Sequence, residues 1–490
     1  MSGLSPRWGA GLGRNSGLSP RLRALLALPG LRAATGASPR ALALFVALAT
    51  TPLAAHVGSP DVYLDGKAGP YALSVTVRPP AVIPGVAEVE IRAAQGVDKI
   101  YITPTPLTGP GAKFAPTPDL MKRSREDAAF FTGALWMMSS GSWEVRIRAE
   151  GTQGQGDMHV PVPNAATRTL AMSAALGWTL SVLMMVLAGG LVAIAGAAAR
   201  EARLEPGLQP GPPEVRRGRI AMGVASVLVL AMLWGGYTWW GSEARSYDEY
   251  LYKPLGLKAS YNTGVLRLNF EHRGWFQSAE FDDLVPDHDH LMHLFVVARP
   301  GLDRVWHLHP RMTANGVFTH ELPAMPAGRY QLFADIVHRS GFPETLVTEI
   351  DLPAVAGAAL AGDDTAGAAG AASSIVFENA SDAFVARRNT PLRFRFAGGE
   401  PIELYLGMPG HAAVIKKDLT VFAHVHPTGT VPMAALALAA GQHAGHYMDP
   451  SLPRVVAFPY GFPAPGEYRV FVQLKRNGKV ETAPFDVVVK

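Results

Sequence analysis

The sequence of 490 residues contains no cysteine. Without thiols the chain forms no disulfide, and it cannot hold copper through a thiolate as blue electron-transfer sites do. Any metal ion would therefore be bound by histidine, methionine or carboxylate groups.

Charged residues are scarce, at 17% of the chain, and the mean hydropathy is +0.13, so we expect part of the chain to lie in lipid. The positive charge is local: the first 40 residues carry six arginines and no acid, and residues 200–219 carry five more arginines. The sequence pI of about 9.2 therefore says nothing about nucleic acid, and we expect no such partner.

Motifs of common enzymes are missing as well. The chain has no Gly-x-Ser-x-Gly, no His-Glu-x-x-His, no phosphate loop and no dinucleotide fingerprint. We therefore expect a protein that is not an enzyme. A metal-dependent enzyme stays open, because a three-histidine site with a free position can activate water or oxygen.

Two apolar windows, residues 170–199 and 220–241, contain no charged residue and are long enough to cross a bilayer as helices. The loop between them, residues 200–219, is rich in arginine, which by the positive-inside rule predicts that it is cytoplasmic. Trp234, Tyr237, Trp239 and Trp240 fit an aromatic belt at the outer interface. The sequence thus predicts a multi-pass protein of the cytoplasmic membrane with both flanking segments on the exported side.

The N-terminus agrees with this topology. Residues 1–55 combine a basic leader with the apolar run ALALFVALATTPLAA, which is typical of a signal peptide. Cleavage near Ala55 would make His56 the first residue, and its amine and imidazole could then chelate copper together with His159. An ordinary first residue is the alternative.

Residues 56–168 alternate apolar and polar positions in short runs separated by proline and glycine. In GSWEVRIRAEG, for example, Trp143, Val145 and Ile147 are predicted to face the core, opposite Glu144 and the neighbouring arginines. This pattern predicts an antiparallel β-sandwich. The stretch 141–162 resembles the C-terminal hairpin of the small extracytoplasmic domains called YtkA-like or FixH-like, and that resemblance implies a fold rather than an activity.

An internal repeat follows the second apolar window. MHLFVVARPGLDRVWHLHP and AGRYQLFADIV in the first copy match GHAAVIKKDLTVFAHVHP and PGEYRVFVQLK in the second. We predict two sandwich modules, residues 242–353 and 375–490, joined by an Ala/Gly-rich linker, residues 354–374, that is too poor in large apolar groups to pack. The expected fold is mainly β, with three Ig-like or cupredoxin-like β-sandwich domains and two transmembrane α-helices.

Histidine placement carries the functional prediction, because thirteen of the fifteen histidines lie beyond residue 270. In a strand, His-x-His directs two imidazoles to one face, and a third can come from a neighbouring strand. Neutral imidazole is a common ligand of copper and zinc. The candidate ligands are His293, His307 and His309 in the first module, His411, His424 and His426 in the second, and His288 and His290 in the sequence DHDHLMH.

The whole chain resembles two-span bacterial membrane proteins that pair a YtkA-like or FixH-like domain with two His-x-His-Pro modules. This resemblance implies an architecture and no particular activity. We predict a membrane-anchored, extracytoplasmic protein that binds copper or zinc for metal handling or sensing. The alternative is a non-enzymatic envelope scaffold with structural histidines. The expected partners are the lipid bilayer and another envelope protein, to which any sensing would have to be passed.

Overall fold

The computed structural model describes residues 61–93, 95–272, 281–357, 359–360, 362–440 and 453–490. The predicted signal peptide and His56 lie outside the described residues, as do His443 and His446. Within the described part the chain is mainly β, with several sheets that form sandwich-like domains and two long apolar helices.

The first domain is a sandwich of a five-stranded sheet, in the order β1-β2-β3-β7-β6, and a four-stranded sheet, β5-β4-β8-β9. Its strands are β1 (Val62–Ala68), β2 (Tyr71–Arg78), β3 (Gly85–Ala93), β4 (Val97–Pro106), β5 (Asp119–Leu120), β6 (Lys122–Arg123), β7 (Phe130–Met137), β8 (Gly141–Gly151) and β9 (Gly154–Asn164). A 3-10 turn, Pro110–Lys113, follows β4.

Strand β8 has the predicted alternation, with Trp143, Val145 and Ile147 buried. Glu144 departs from it, because this carboxylate is buried as well. Thr105 donates a hydrogen bond to it at 2.9 Å and His159 Nδ1 lies 3.2 Å away. His159, which was predicted to chelate copper together with His56, is therefore paired with Glu144.

Helices α1 (Ala174–Glu201) and α2 (Pro212–Glu249) correspond to the two apolar windows. Their apolar side chains, such as Leu187, Leu230 and Trp234, are exposed, and both helices are long and apolar enough to cross a membrane. They pack closely at Gly196 and Gly218, where a Cβ on Gly196 would lie 2.4 Å from Met222. Such close approach of small residues is common between helices in lipid.

The first repeat again consists of two sheets, β10-β11-β16-β15 and β12-β17-β13-β14-β19, with β18 paired to β17. Its strands are β10 (Gly256–Asn262), β11 (Val265–Glu271), β12 (Leu284–Val285), β13 (His293–Arg299), β14 (Arg304–Leu308), β15 (Arg311–Ala314), β16 (Val317–Glu321), β17 (Gly328–His338), β18 (Pro343–Leu352) and β19 (Thr365–Ala368).

Strand β19 belongs to the Ala/Gly tract that we expected not to pack. It pairs with β14, with Thr365 opposite His307. The expectation failed because the backbone of small residues satisfies its hydrogen bonds on a sheet edge without large side chains.

The second repeat has the sheets β20-β21-β24 and β23-β22-β25-β26. Its elements are β20 (Ile375–Phe377), β21 (Leu392–Phe396), β22 (His411–Lys416), β23 (Phe422–Val425), α3 (Met433–Ala440), β24 (Val455–Phe458), β25 (Gly466–Arg476) and β26 (Lys479–Val489).

The two repeats pack sheet against sheet through an apolar layer. Phe333 of the first repeat stacks on Phe422 of the second, with ring centroids 4.3 Å apart. The layer comprises Phe295, Val297, Leu302, Val305 and Phe333 from the first repeat and Ala413, Ile415, Phe422 and Phe471 from the second. The histidines lie at one end of this layer, where Phe295 also stacks on His307 at 4.2 Å.

The second repeat is also joined to the first domain. The loop before α3 bonds to β1, with Asp65 N donating to Thr428 O at 2.8 Å and Thr430 N to Tyr63 O at 2.9 Å. Leu436 of α3 is buried in the core of the first sandwich. The three sandwiches therefore share cores and hydrogen bonds, rather than being connected only by linkers.

Candidate metal centre

In each repeat, the register of two adjacent strands brings three histidines together. Strands β13 and β14 are antiparallel with Phe295 opposite His307, so His293 falls opposite His309, just beyond the end of β14. The rings of His293 and His309 have centroids 5.1 Å apart. The two-residue period of a strand places His307 and His309 on one face.

The second repeat reproduces this arrangement. Strands β22 and β23 pair with Ala413 opposite His424, so His411 falls opposite His426, and the centroids of these two rings are 5.0 Å apart. The sequence repeat therefore corresponds to a repeated placement of histidines.

A tight turn before the first histidine strand is also repeated, although its side chains differ. Asp287 and His290 exchange two backbone hydrogen bonds of 2.9 Å, and Tyr405 and Met408 exchange bonds of 2.7 and 3.1 Å. His288 and Leu406 have positive φ angles of 48° and 52°, and so do Asp289 and Gly407 after them, at 68° and 74°. His288 of the first repeat thus corresponds to Leu406 of the second, and His290 to Met408.

The first histidine triad consists of His293, His307 and His309. Each offers a ligand nitrogen, and these atoms lie within 4.8 Å of one another. His293 Nδ1 and His307 Nε2 are 3.1 Å apart. All three side chains are buried, with 2%, 0% and 7% of their surfaces exposed.

The opposite nitrogen of each ring in this triad faces an acceptor. His293 Nε2 lies 3.0 Å from the carbonyl oxygen of Asp287, and His307 Nδ1 lies 3.0 Å from Gln473 Oε1 of the second repeat. His309 Nδ1 lies 3.1 Å from the Asp364 carboxylate, which also receives the backbone N–H of His309. Because these oxygens are acceptors, they favour the tautomers in which each ring has its proton on this side and its lone pair on the side of the other rings.

The second histidine triad consists of His288, His411 and His426, whose ligand nitrogens also lie within 4.8 Å of one another. This set differs from the prediction, in which His424 stood in the place of His288. Instead, His424 Nε2 lies 3.1 Å from His411 Nδ1, and His424 Nδ1 lies 3.5 Å from Asp335 of the first repeat.

Two ring nitrogens in the triads, Nε2 of His288 and Nε2 of His309, are buried and have no hydrogen-bond partner among the described residues. The ring of His426 meets only the backbone of Val431. An unpaired polar atom in a protein interior is costly, so such atoms indicate a ligand.

Burial is the largest cause that lowers the pKa of every ring in both triads, and it lowers the pKa of His426 to about 3. The neighbouring imidazoles add to the effect for His293, His307 and His411. These histidines are therefore neutral at physiological pH, which is the form that binds metals.

Carboxylates around the histidines were not identified from the sequence. Burial raises the pKa of Asp364, but hydrogen bonds from His309 and His320 outweigh it and hold the pKa below its usual value. Burial raises the pKa of Asp335, next to His424, to about 7. Asp364 lies in the Ala/Gly tract that was expected not to pack, and no motif indicates its role.

All eight predicted ligands lie in one cluster. His290 stacks on His309 with centroids 4.0 Å apart, but its Nε2 lies 3.2 Å from the Asp363 carboxylate rather than in a triad. A cavity of about 230 Å³ at the junction of the three sandwiches is lined by His290, His293, His424 and His426, among others. The cluster therefore borders a cavity.

Comparisons with known proteins add little to this description. A family described as a domain of unknown function, DUF8832, matches residues 374–490, which is the second repeat. No curated protein matches the chain.

Among solved structures, the chain is similar to a tetra-tandem repeat from the extending region of a large adhesion protein, with 9% identity, 87% of this chain and 82% of that chain covered, and a TM-score of 0.15. It is also similar to the ICAM-5 D1–D4 ectodomain fragment, with 8% identity, 86% of this chain and 77% of that chain covered, and a TM-score of 0.15. A third similar structure is Salmonella alpha-2-macroglobulin reacted with methylamine, with 8% identity, 89% of this chain and 24% of that chain covered, and a TM-score of 0.20. Scores this low carry no argument about the fold or the function of this chain.

Proposed function

We propose that this chain is a membrane-anchored, extracytoplasmic protein that binds copper or zinc through the first histidine triad and serves in metal handling or sensing. One observation carries the proposal. One nitrogen of each ring in the triad lies within hydrogen-bond distance of a carbonyl, an amide or a carboxylate oxygen, and each ring offers a ligand nitrogen within 4.8 Å of the other two. This is how proteins orient metal-binding imidazoles.

The contact between His293 and His307 supports a cation in particular. Burial lowers the pKa of both rings, and in the tautomers that the oxygens of Asp287 and Gln473 favour, two lone pairs face each other at 3.1 Å. Two such lone pairs repel unless a positive charge lies between them. Two imidazoles on a tetrahedral Zn²⁺, with Zn–N of about 2.0–2.1 Å, have their nitrogens about 3.3 Å apart.

The donor set favours copper or zinc over other ions. Three imidazole nitrogens suit Cu²⁺ and Zn²⁺, whereas Mg²⁺ and Ca²⁺ prefer oxygen ligands. The proposed role is binding rather than catalysis.

The membrane anchor is supported by α1 and α2, whose apolar side chains are exposed along their length. The arginines between them favour a cytoplasmic loop, which puts the β domains on the exported side of the cytoplasmic membrane. That loop has no room for a signalling domain, so sensing would require another envelope protein.

The test is a metal titration of the full chain in detergent with Cu²⁺ and with Zn²⁺. We expect binding tighter than micromolar, and the double variant His307→Gln/His309→Gln should lose the ion held by the first triad. The control, His272→Gln, removes an exposed histidine outside both triads, and it should bind as the wild type does. A folded wild-type chain that binds neither ion this tightly would contradict the proposal.

The alternative is an envelope scaffold in which the histidines are structural. It is favoured by the position of His307, which stacks on Phe295 and bonds across the repeats to Gln473. In that case the double variant would lose stability without any change in metal content.

A further inference from the structure

The second histidine triad combines side chains from both repeats. His288 lies in the turn before β13 in the first repeat, whereas His411 is the first residue of β22 and His426 follows β23 in the second. The rings of His411 and His426 lie 5.1 and 5.0 Å from that of His288, measured between centroids. His411 and His426 are 0% and 2% exposed.

The nitrogens of this triad resemble those of the first only at His411, which has a backbone acceptor at Nε2 and faces another imidazole, that of His424, at Nδ1. His411 Nε2 lies 3.1 Å from the carbonyl oxygen of Tyr405, so its proton is held there and Nδ1 keeps a lone pair. His288 is hydrogen-bonded to the backbone of Leu406. Nε2 of His288 has no partner within the described part of the chain, and the ring of His426 meets only the backbone of Val431. Three imidazoles, two buried and one half-buried, with ligand nitrogens within 4.8 Å of one another point to a bound cation.

The difference between the two turns makes this site possible. Leu406 takes the same left-handed conformation in the second repeat that His288 takes in the first. Only the turn of the first repeat therefore provides an imidazole for the triad of the other repeat.

We propose that His288, His411 and His426 form a second site for copper or zinc, shared between the repeats, and that an ion bound there fastens the two repeats to each other. This inference rests on the proposed function, because it assumes that the exported domains meet the same ion. Since the ligands come from both repeats, the ion binds the packed arrangement more tightly than a separated one. Metal binding then stabilises that arrangement by mass action.

The test is the stoichiometry of Zn²⁺ bound to the full chain in detergent, together with the rise in Tm on adding Zn²⁺. The key variant is His288→Leu, which installs the residue that the corresponding turn already carries. We expect two ions in the wild type, one ion in His288→Leu, and a smaller rise in Tm for the variant. Without metal, the Tm of His288→Leu should stay near that of the wild type.

A second variant, His288→Asn, is included in case His288→Leu fails to fold, because asparagine tolerates positive φ. It should also lose one ion. Two ions bound by both folded variants, or a single ion in the wild type that is insensitive to His288→Leu, would overturn this inference and leave the proposed function standing. A wild-type chain that binds no ion would overturn the proposed function, and this site with it.

Discussion

The same residue type has opposite roles in this molecule, depending on the groups around it. His338 is buried like the rings of the triads, but its nitrogens meet two carboxylates, Asp283 at 2.9 Å and Glu344 at 3.1 Å. Burial lowers the pKa of His338, but the hydrogen bond to Glu344 and the charge of Asp283 outweigh it and raise the pKa above its usual value. His338 is therefore a partner in a buried ion pair, whereas the rings of the triads remain neutral and available to a metal.

His338 should make the stability of the protein depend on pH. Its pKa is higher in the folded than in the unfolded state, so its contribution is fully present below about pH 6.5, the unfolded value, and is lost as the pH rises through the folded pKa. We expect His338→Gln to lower the free energy of unfolding by about 3 kcal/mol at pH 6 and by less at pH 9. Denaturant unfolding in detergent measures this difference.

The control for this prediction is His272→Gln, which changes an exposed ring. It should be neutral at both pH values. A cost of His338→Gln that is equal at pH 6 and pH 9 would mean that the protonated form has no special role.

At the scale of elements, short segments join neighbouring domains. The loop before α3 runs beside β1 of the first sandwich, where Leu64 and Gly429 form a bridge. Gly429 has a φ of 132°, and a Cβ there would lie 1.9 Å from Tyr63 O. Asp287, in the turn that carries His288, accepts a 2.7 Å hydrogen bond from Ala434 N at the start of α3. Gly429, which makes the contact with β1, lies between His426 and α3 in the sequence.

We expect Gly429→Ala to destabilise the full chain by more than about 2 kcal/mol, because the new Cβ meets the β1 backbone and also strains φ. Gly478→Ala is the matched control, since Gly478 also has a positive φ, of 71°, but nothing lies within 4 Å of its Cβ position. That variant should cost about 1 kcal/mol. Thermal unfolding of both variants in detergent tests the contact. Equal losses of stability in the two variants would show that the backbone of β1 moves to accommodate the new Cβ.

At the scale of the whole molecule, the three β-sandwiches pack as one unit. Leu436 and Ala435 of the second repeat are buried with the core of the first sandwich, and Tyr252, after α2, donates its N–H to Ala166 O at 2.7 Å. The repeats share the apolar layer beside the histidines. Stability of the histidine cluster should therefore depend on the first domain, although that domain contributes no histidine to either triad.

A fragment of residues 242–490 should consequently have a lower Tm than the full chain, because it exposes the apolar face of α3. Burial of a leucine contributes about 2 kcal/mol, so Leu436→Ser should destabilise the full chain by at least that amount and have almost no effect in the fragment. Differential scanning fluorimetry of the four proteins measures both effects. A fragment as stable as the full chain would show that packing against the first sandwich does not stabilise the repeats.

Local sequence patterns were enough to predict the mainly β fold, the two long apolar helices and the identity of the histidines that lie in one cluster. Alternation along a strand, an apolar run of membrane length and a His-x-His pair are properties of neighbouring residues, so they can be read without knowing what packs where. The repeat extended this reading, because His293 and His411 stand at matching distances from their His-x-His pairs.

Only the tertiary structure placed His288 beside His411 and His426 in the other repeat, Gln473 behind His307, Asp364 behind His309, and α3 in the first core. These partners are separated by 123 residues for His288 and His411 and by 166 for His307 and Gln473. Their meeting depends on which sheet faces pack together, and the free energy of that packing is a sum over the whole apolar layer. No single segment of the sequence contains that information.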